Sequence, residues 1–356
     1  MRTDTAVKFI RGQGTVPTVA GTWGTTSDWT PRFPGIILEP MRLPAAPSAA
    51  LLLLLAACGG RPLRYTVVAP ANAQAVSLLG DTLWSVPVDP GSGPEAVERL
   101  RQARAEAARS PTNLLAQLHL ARSTAAIGRL REAVDLLTSA MYLQDPQVFR
   151  YRGEYLLRLR QVDRAIADFR LAGQLSMGAQ DLPEEVERTD RTRAVSTVFF
   201  RTIFLLGVAL YCKGDFAGAG IALAEAAKRA LTPDDLAQST FWLFLAVRRT
   251  RGADEAKLLL TGMEDDRAVS DGFHEQALLL GFRGMLPSDT VRARAMASRA
   301  TAERTLYSYG IGYVLLMQDR REEAESWFEH ARLSPDWTTL PYLAAESELA
   351  RMRMRP

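Results

Sequence analysis

The chain has 356 residues, 47% of them hydrophobic, which is enough for an extensive buried core and too much for disorder throughout. Forty-three Lys and Arg against 40 Asp and Glu leave a net charge of +3, so no strong field selects nucleic acid or a membrane surface. The two cysteines, Cys58 and Cys212, exclude a disulfide framework and a metal centre built on thiolates.

Residues 1–40 are rich in Thr, Gly and Pro, show no sustained period, and are read as a segment upstream of the true start or as disordered chain. Residues 41–57 carry a basic opening, Met41-Arg42, an apolar run from Ala49 to Leu55, and small residues before Cys58. That is the pattern of an export signal, and it falls short of the roughly 20 apolar residues that span a bilayer. Leu55-Ala56-Ala57-Cys58 resembles the lipobox of bacterial lipoproteins. The resemblance implies that Cys58 is acylated and becomes the mature N-terminus, where two or more acyl chains anchor stably. Gly59, in place of an Asp, leans towards the outer membrane and the periplasmic side of the envelope. A genuine start at Met1 implies instead a cytosolic adaptor or regulator.

Residues 58–93 contain Pro62, Pro70, Pro87 and Pro90 and read as a tether of extended chain and turns rather than helix. Within it Trp84, with Leu78, Leu79 and Leu83, suits a strap docked on the first helices. Helix is expected from Pro94, a residue favoured at the first helical position, to Arg109.

Beyond Pro111 small and large apolar residues recur in one register. Ala121, Gly128, Ala133, Leu137 and Ala140 form the first set, and Phe149, Gly153, Leu156, Ala165, Phe169 and Ala172 the second. Gly207, Leu210, Gly214, Ala219, Leu223 and Ala226 follow, then Gly312, Leu315, Ala324, Phe328 and Ala331. The pattern resembles the tetratricopeptide repeat, or TPR, a helix pair of about 34 residues. The resemblance implies an all-α solenoid, a right-handed superhelix over residues 94–352. Small residues at Gly153, Ala165 and their equivalents let paired helices approach, and larger ones fill the gap. Gly128 and Gly214 stand where a helix must stop and turn.

Spacing tests the register. Ala133 to Ala165 is 32 residues and Ala256 to Ala324 is 68, about one and two periods. Ala165 to Ala219 is 54, one period plus about 20 inserted residues. The insertion falls near 176–198, is rich in charge, and is expected to protrude or to cross the groove. About six units result, the fourth and fifth poor, with the fifth's second helix starting near Ser288. A last helix from about Thr339 to Met352, bearing Glu346, Glu348 and Arg351, reads as a polar cap. Val76-Ser77-Leu78-Leu79-Gly80, Arg152-Gly153 and Tyr342-Leu343-Ala344-Ala345-Glu346 together resemble an uncharacterised family of bacterial TPR lipoproteins, which implies the architecture and no activity.

Chemistry finds little footing. His119, His274 and His330 fall in different repeats, and Phe273-His274-Glu275-Gln276-Ala277-Leu278 lacks the second histidine that a zinc-protease helix needs. Gly218-Ala219-Gly220 lacks the third glycine of a dinucleotide fingerprint. No catalytic residue, metal ligand or cofactor site is assigned, and a non-enzymatic scaffold is expected. By the TPR resemblance, the inner surface is lined by Arg122, Arg150, Glu154, Phe204, Tyr211, Tyr309 and Tyr313. These are expected to grip a protein or peptide partner, since Arg and Tyr are enriched at interface hot spots. Asn and Lys are too scarce in the repeats for a clamp on C-terminal chaperone peptides.

Overall fold

Fourteen α-helices and three two-stranded hairpins make up the residues that this computed structural model describes: 32–33, 36–37, 73–86, 93–178, 180–186, 194–261, 274–284, 288–298 and 301–354. The signal stretch 41–57, Cys58 and the charged centre of the insertion, 187–193, lie outside them. So do residues 58–72 and 87–92 of the tether and most of 1–40. A short hairpin, β1 (Arg32–Phe33) and β2 (Ile36–Ile37), pairs within the first segment.

Helix α1 (Gly93–Arg109) buries Ala96, Leu100, Ala103 and Ala107, one stripe at helical spacing, against the next helix. Six helix pairs then follow. They are α2 (Leu114–Ala126) with α3 (Leu130–Ser139), and α4 (Pro146–Arg158) with α5 (Val162–Leu175). Next come α6 (Val198–Lys213) with α7 (Phe216–Lys228), and α8 (Pro233–Thr250) with the short α9 (Ala253–Leu258). The last two are α10 (Glu275–Phe282) with α11 (Ser288–Ala297), and α12 (Thr301–Met317) with α13 (Arg321–Ala331). Helix α14 (Leu340–Met354) ends the described chain.

One left-handed residue joins the helices of every pair: Gly128 (φ 79°), Arg160 (64°), Gly214 (95°), Gly252 (95°), Gly284 (87°) and Asp319 (61°). In four pairs the N–H of the following residue donates to a carbonyl five residues back, as from Arg129 to Thr124 and from Gln161 to Leu156. Asp215 to Leu210 and Arg320 to Leu315 repeat the bond. This is the closure that satisfies the orphaned carbonyls at a helix end. Side-chain oxygens of Asn113, Thr197, Asp215 and Thr232 accept from backbone N–H groups at the starts of α2, α6, α7 and α8.

Within pairs, glycine faces a large side chain at contact distance. A Cβ on Gly153 would lie 2.8 Å from the Phe169 ring, one on Gly207 2.5 Å from Leu223, and one on Gly312 2.7 Å from Phe328. Ala133, Ala165, Ala219, Ala324 and Ala331 are buried beside them. Helices brought this close interlock at crystal-like density, and no methyl group fits between them.

Within the tether, residues 73–86 form extended chain and a turn, a hairpin of β3 (Ala75–Val76) paired with β4 (Thr82–Leu83), whose Ala73, Ala75 and Leu83 are buried. One expected segment needs correction. The last helix is no polar cap facing water. All nine residues from Tyr342 to Ala350 are buried, Glu346 and Glu348 included. Basic partners from distant repeats allow those carboxylates to enter the interior.

Candidate functional site: the concave face

Successive first helices touch one another, α2 with α4, α4 with α6, α6 with α8, α8 with α10 and α10 with α12, and form a curved inner layer. Helix α14 lies in the curve, packed on α6 from the middle of the layer and on α12 and α13 from its end. Chain elements therefore occupy the inner surface in two places.

In the first place α14 fills the concavity. Tyr211 on α6 and Tyr309 and Tyr313 on α12 are wholly buried there. The Tyr211 hydroxyl donates to Glu348 Oε1 (2.9 Å) and accepts from the Tyr309 hydroxyl (3.1 Å), while Tyr313 donates to the Leu245 carbonyl (2.8 Å). Burial drives the Tyr211 and Tyr309 phenols well above their usual range, with the nearby Glu348 charge adding to it. Arg249 Nη2 on α8 lies 2.7 Å from Glu348 Oε2, and Arg351 Nη2 lies 3.0 Å from Oε1. Burial alone would raise the Glu348 carboxyl, but Arg351 and Arg249 hold it below the usual range. Glu346 takes Arg160 in a two-pronged pair, Nη2 to Oε2 at 2.8 Å and Nε to Oε1 at 3.2 Å, and also accepts the Leu78 N–H. Arg160 further donates to the Trp337 carbonyl (3.0 Å), and the Trp337 indole donates to the Trp84 carbonyl (2.7 Å). Trp84's own ring is exposed.

In the second place the insertion folds as a hairpin, β5 (Pro183–Val186) paired with β6 (Ala194–Thr197), lying across α4, α6 and α8. Its Glu184 is buried against α4, taking Arg150 Nη2 at 2.5 Å and the Tyr151 hydroxyl at 2.6 Å. Its Ser196 donates to Asp235 on α8 (3.1 Å). Arg150 also meets Glu154 (2.9 Å), which meets Arg158 (2.5 Å). Burial alone would raise the Glu154 carboxyl, yet Arg158, Arg150, Arg201 and Arg122 together bring it down to about 2.

Four guanidinium groups stack along this stretch: Arg150 and Arg122 at 4.0 and 5.2 Å from the Tyr151 ring centre, Arg158 at 5.9 Å from Tyr155 and Arg201 at 5.5 Å from Phe204. The Nε of Arg201 is buried with no hydrogen-bond partner. Burial and the adjacent Arg150 both lower its basicity. At the start of α10, burial pushes Glu275 up to about 7, with Asp234 adding and Arg201 opposing.

Six helix pairs with one left-handed joint each, three of them closed by a glycine against a large side chain and all stacked first helix on first helix, decide the architecture. The fold is a TPR solenoid. No family model matches the sequence, and no curated protein matches it. Among solved structures, a tetratricopeptide repeat protein from Parabacteroides merdae is similar at 14% identity and a TM-score of 0.43, covering 72% of this chain and 94% of that one. YrrB, described as a TPR protein with an unusual peptide-binding site, is similar at 13% identity and a TM-score of 0.38, covering 69% and 97%. BtubC from P. vanneervenii is similar at 17% identity and a TM-score of 0.39, covering 67% and 87%.

The TPR register places all seven expected lining residues on first helices, but their exposure differs from an open groove. Arg122 is exposed and Glu154 half-buried, whereas Arg150, Phe204, Tyr211, Tyr309 and Tyr313 are buried. The cause is cover from the same chain: the β5–β6 hairpin over Arg150, and α14 over the tyrosines. Sequence reasoning missed Arg158, Arg160, Arg201 and Arg249. Arg201 had a signal, since it stands three residues before Phe204 at another inward register position. Arg160 had one too, as an arginine where the register favours glycine. The histidines stay apart, His119 beside Glu106, His274 beside Tyr307 and Glu303, and His330 beside Ser308. Among the described residues no group of three or more His, Cys, Asp or Glu is placed to hold a metal ion, and no helix is long and apolar enough to cross a membrane.

Proposed function

We propose that the chain is a non-enzymatic protein-interaction scaffold that holds a peptide or helix of a partner on its concave face. The supporting observation is the row of guanidinium groups laid on aromatic rings, of which Arg122, Arg158 and Arg201 keep access to solvent. An arginine already held against a ring loses little freedom on binding, and its planar fork matches carboxylates and backbone carbonyls. In this reading Cys58 carries the acyl chains that fix the scaffold to the periplasmic side of the envelope, in the outer membrane. A cytosolic adaptor, with Cys58 unacylated, is the second reading.

Two experiments test these readings. A photo-crosslinking residue at position 122 or 201 should capture the same partner, whereas one at Ile221, exposed on α7, should not. Equal capture from all three positions removes the concave-face assignment. Palmitate label should enter the native protein and be lost in Cys58→Ala. Label retained in that variant removes the lipoprotein.

A further inference from the structure

Helix α14 differs from a normal outer layer of a helical fold. An outer helix buries one stripe and shows water the rest, yet nine consecutive α14 residues are buried, so the helix is enclosed on all sides. Its two glutamates show how it is held. Residues two apart on a helix point roughly 200° from each other, and the partners of Glu346 and Glu348 lie accordingly on opposite sides. Glu346 is taken by Arg160 in the turn of the second pair and by the Leu78 N–H of the β3–β4 hairpin. Glu348 is taken by Tyr211 and by Arg249 from the third and fourth pairs. The seat grips an acidic helix from both flanks.

The composition of α14 is that of a ligand more than of a core element. Tyr342, Leu343 and Leu349 are its only large apolar residues within the buried run, the others being Ala, Ser and Glu. Two carboxylates taken from water lose hydration comparable to what their ion pairs return, so such a contact sets register and identity more than it adds stability. Stacked repeats hold together through nearest neighbours. Helix α14, the last described element, can therefore leave the seat without dissolving the α12–α13 pair behind it.

We propose that α14 is a displaceable resident of the concave face, and that its seat accepts a partner helix of the same chemistry: two glutamates two residues apart, flanked by small residues. This rests on the reading of the concave face as the interaction surface and adds its regulation. With α14 seated, Tyr211, Tyr309, Arg160 and Arg249 are withheld. An acidic helix with a better match to them replaces α14 and is bound in its place.

Cys212 reports the seat without any partner. Its side chain is buried on α6, and Arg351 of α14 donates to its carbonyl (2.9 Å). Thiol labelling of the full chain, with the Cys212 peptide resolved from Cys58 by mass, is compared with unfolding followed by circular dichroism. Labelling of Cys212 should outpace global unfolding and stay independent of denaturant at low concentration. Glu348→Gln should speed it by on the order of tenfold or more, a loss of about 1.4 kcal/mol per tenfold, with helical content unchanged. A fluorescent peptide of residues 338–354 should bind the Glu348→Gln chain. It should bind far less to Glu348→Gln/Arg249→Ala, and a peptide with both glutamates changed to Gln should not bind at all. If Cys212 in the wild-type chain labels only as fast as the whole solenoid unfolds, α14 is a fixed part of the core and the proposal is wrong. Labelling that depends on protein concentration makes α14 of a second copy the occupant, and also overturns it. Neither failure touches crosslinking at positions 122 and 201, so the scaffold reading is judged separately.

Discussion

The two covered stretches of the concave face are built from the same residue types and differ in completeness. Around α14, Glu346 and Glu348 each meet a guanidinium from another repeat within 2.8 Å. In the second stretch the Nε of Arg201 has no partner, and Glu275 at the start of α10 has its carboxyl pushed up to about 7 by burial. Charge balance in this interior thus depends in part on which segment folds back, since Glu154 matches Arg150 and Arg158 within the second pair, whereas Arg160 and Arg249 find their acids on α14. Each stretch has an acidic occupant, Glu346 and Glu348 of α14 in the first and Glu184 of the hairpin in the second, but in the second the Nε of Arg201 stays unpaired.

Arg249→Ala should break the contrast most strongly. It strips a buried carboxylate of a main counter-charge, and such losses cost about 3–5 kcal/mol, read as a lower urea midpoint with α14 released. Next comes pH at the other stretch. The folded protein keeps the Glu275 proton between 4.5 and about 7, where the unfolded chain has released it. This contribution is full below pH 4.5 and disappears as pH rises through 7, on the order of 3–4 kcal/mol at about 1.4 kcal/mol per unit. Glu275→Gln should flatten the stability profile in that window, and an unchanged profile means that the carboxyl is already ionised.

Gly153→Ala and Gly312→Ala ask whether the repeats beneath the two stretches are equivalent. Each drives a methyl into a phenylalanine ring, 2.8 Å at Phe169 and 2.7 Å at Phe328, so each should cost about 1–3 kcal/mol. Equal losses in thermal unfolding place the contrast in the covering segments alone. The smallest effect belongs to Asp81→Asn. Asp81 pairs with Arg332 but is 57% exposed, so its loss should cost about 0.2–1 kcal/mol and fade with added salt.

The solenoid was legible because its contacts are local. Gly153 faces Phe169 sixteen positions on, and the same interval recurs from Gly207 to Leu223 and from Gly312 to Phe328. Gly128 and Gly214 advertise their turns, since glycine alone enters the left-handed region without strain. Arg160 and Asp319 occupy the same joint with no such mark. The insertion was expected to protrude or to cross the groove, and it lies across α4, α6 and α8; the cover by α14 was not legible. Glu346 and Glu348 look solvated on a helical wheel, and the arginines that draw them inside stand 186 and 99 residues away. No periodicity encodes a pairing of that span. Glu184, fixed by Arg150 across a hairpin whose centre is a charged run, was hidden for the same reason.

The β3–β4 hairpin bonds at one end to Arg131 in the first pair, through Ala73 and Gln74, and at the other reaches Arg332, Trp337 and Glu346. A superhelix is ordinarily a soft coil spring that opens and closes its pitch at small cost. This one carries a strut from its first turn to its last. It resists stretching as a rigid ring does until the strut gives way, and only then does it become elastic.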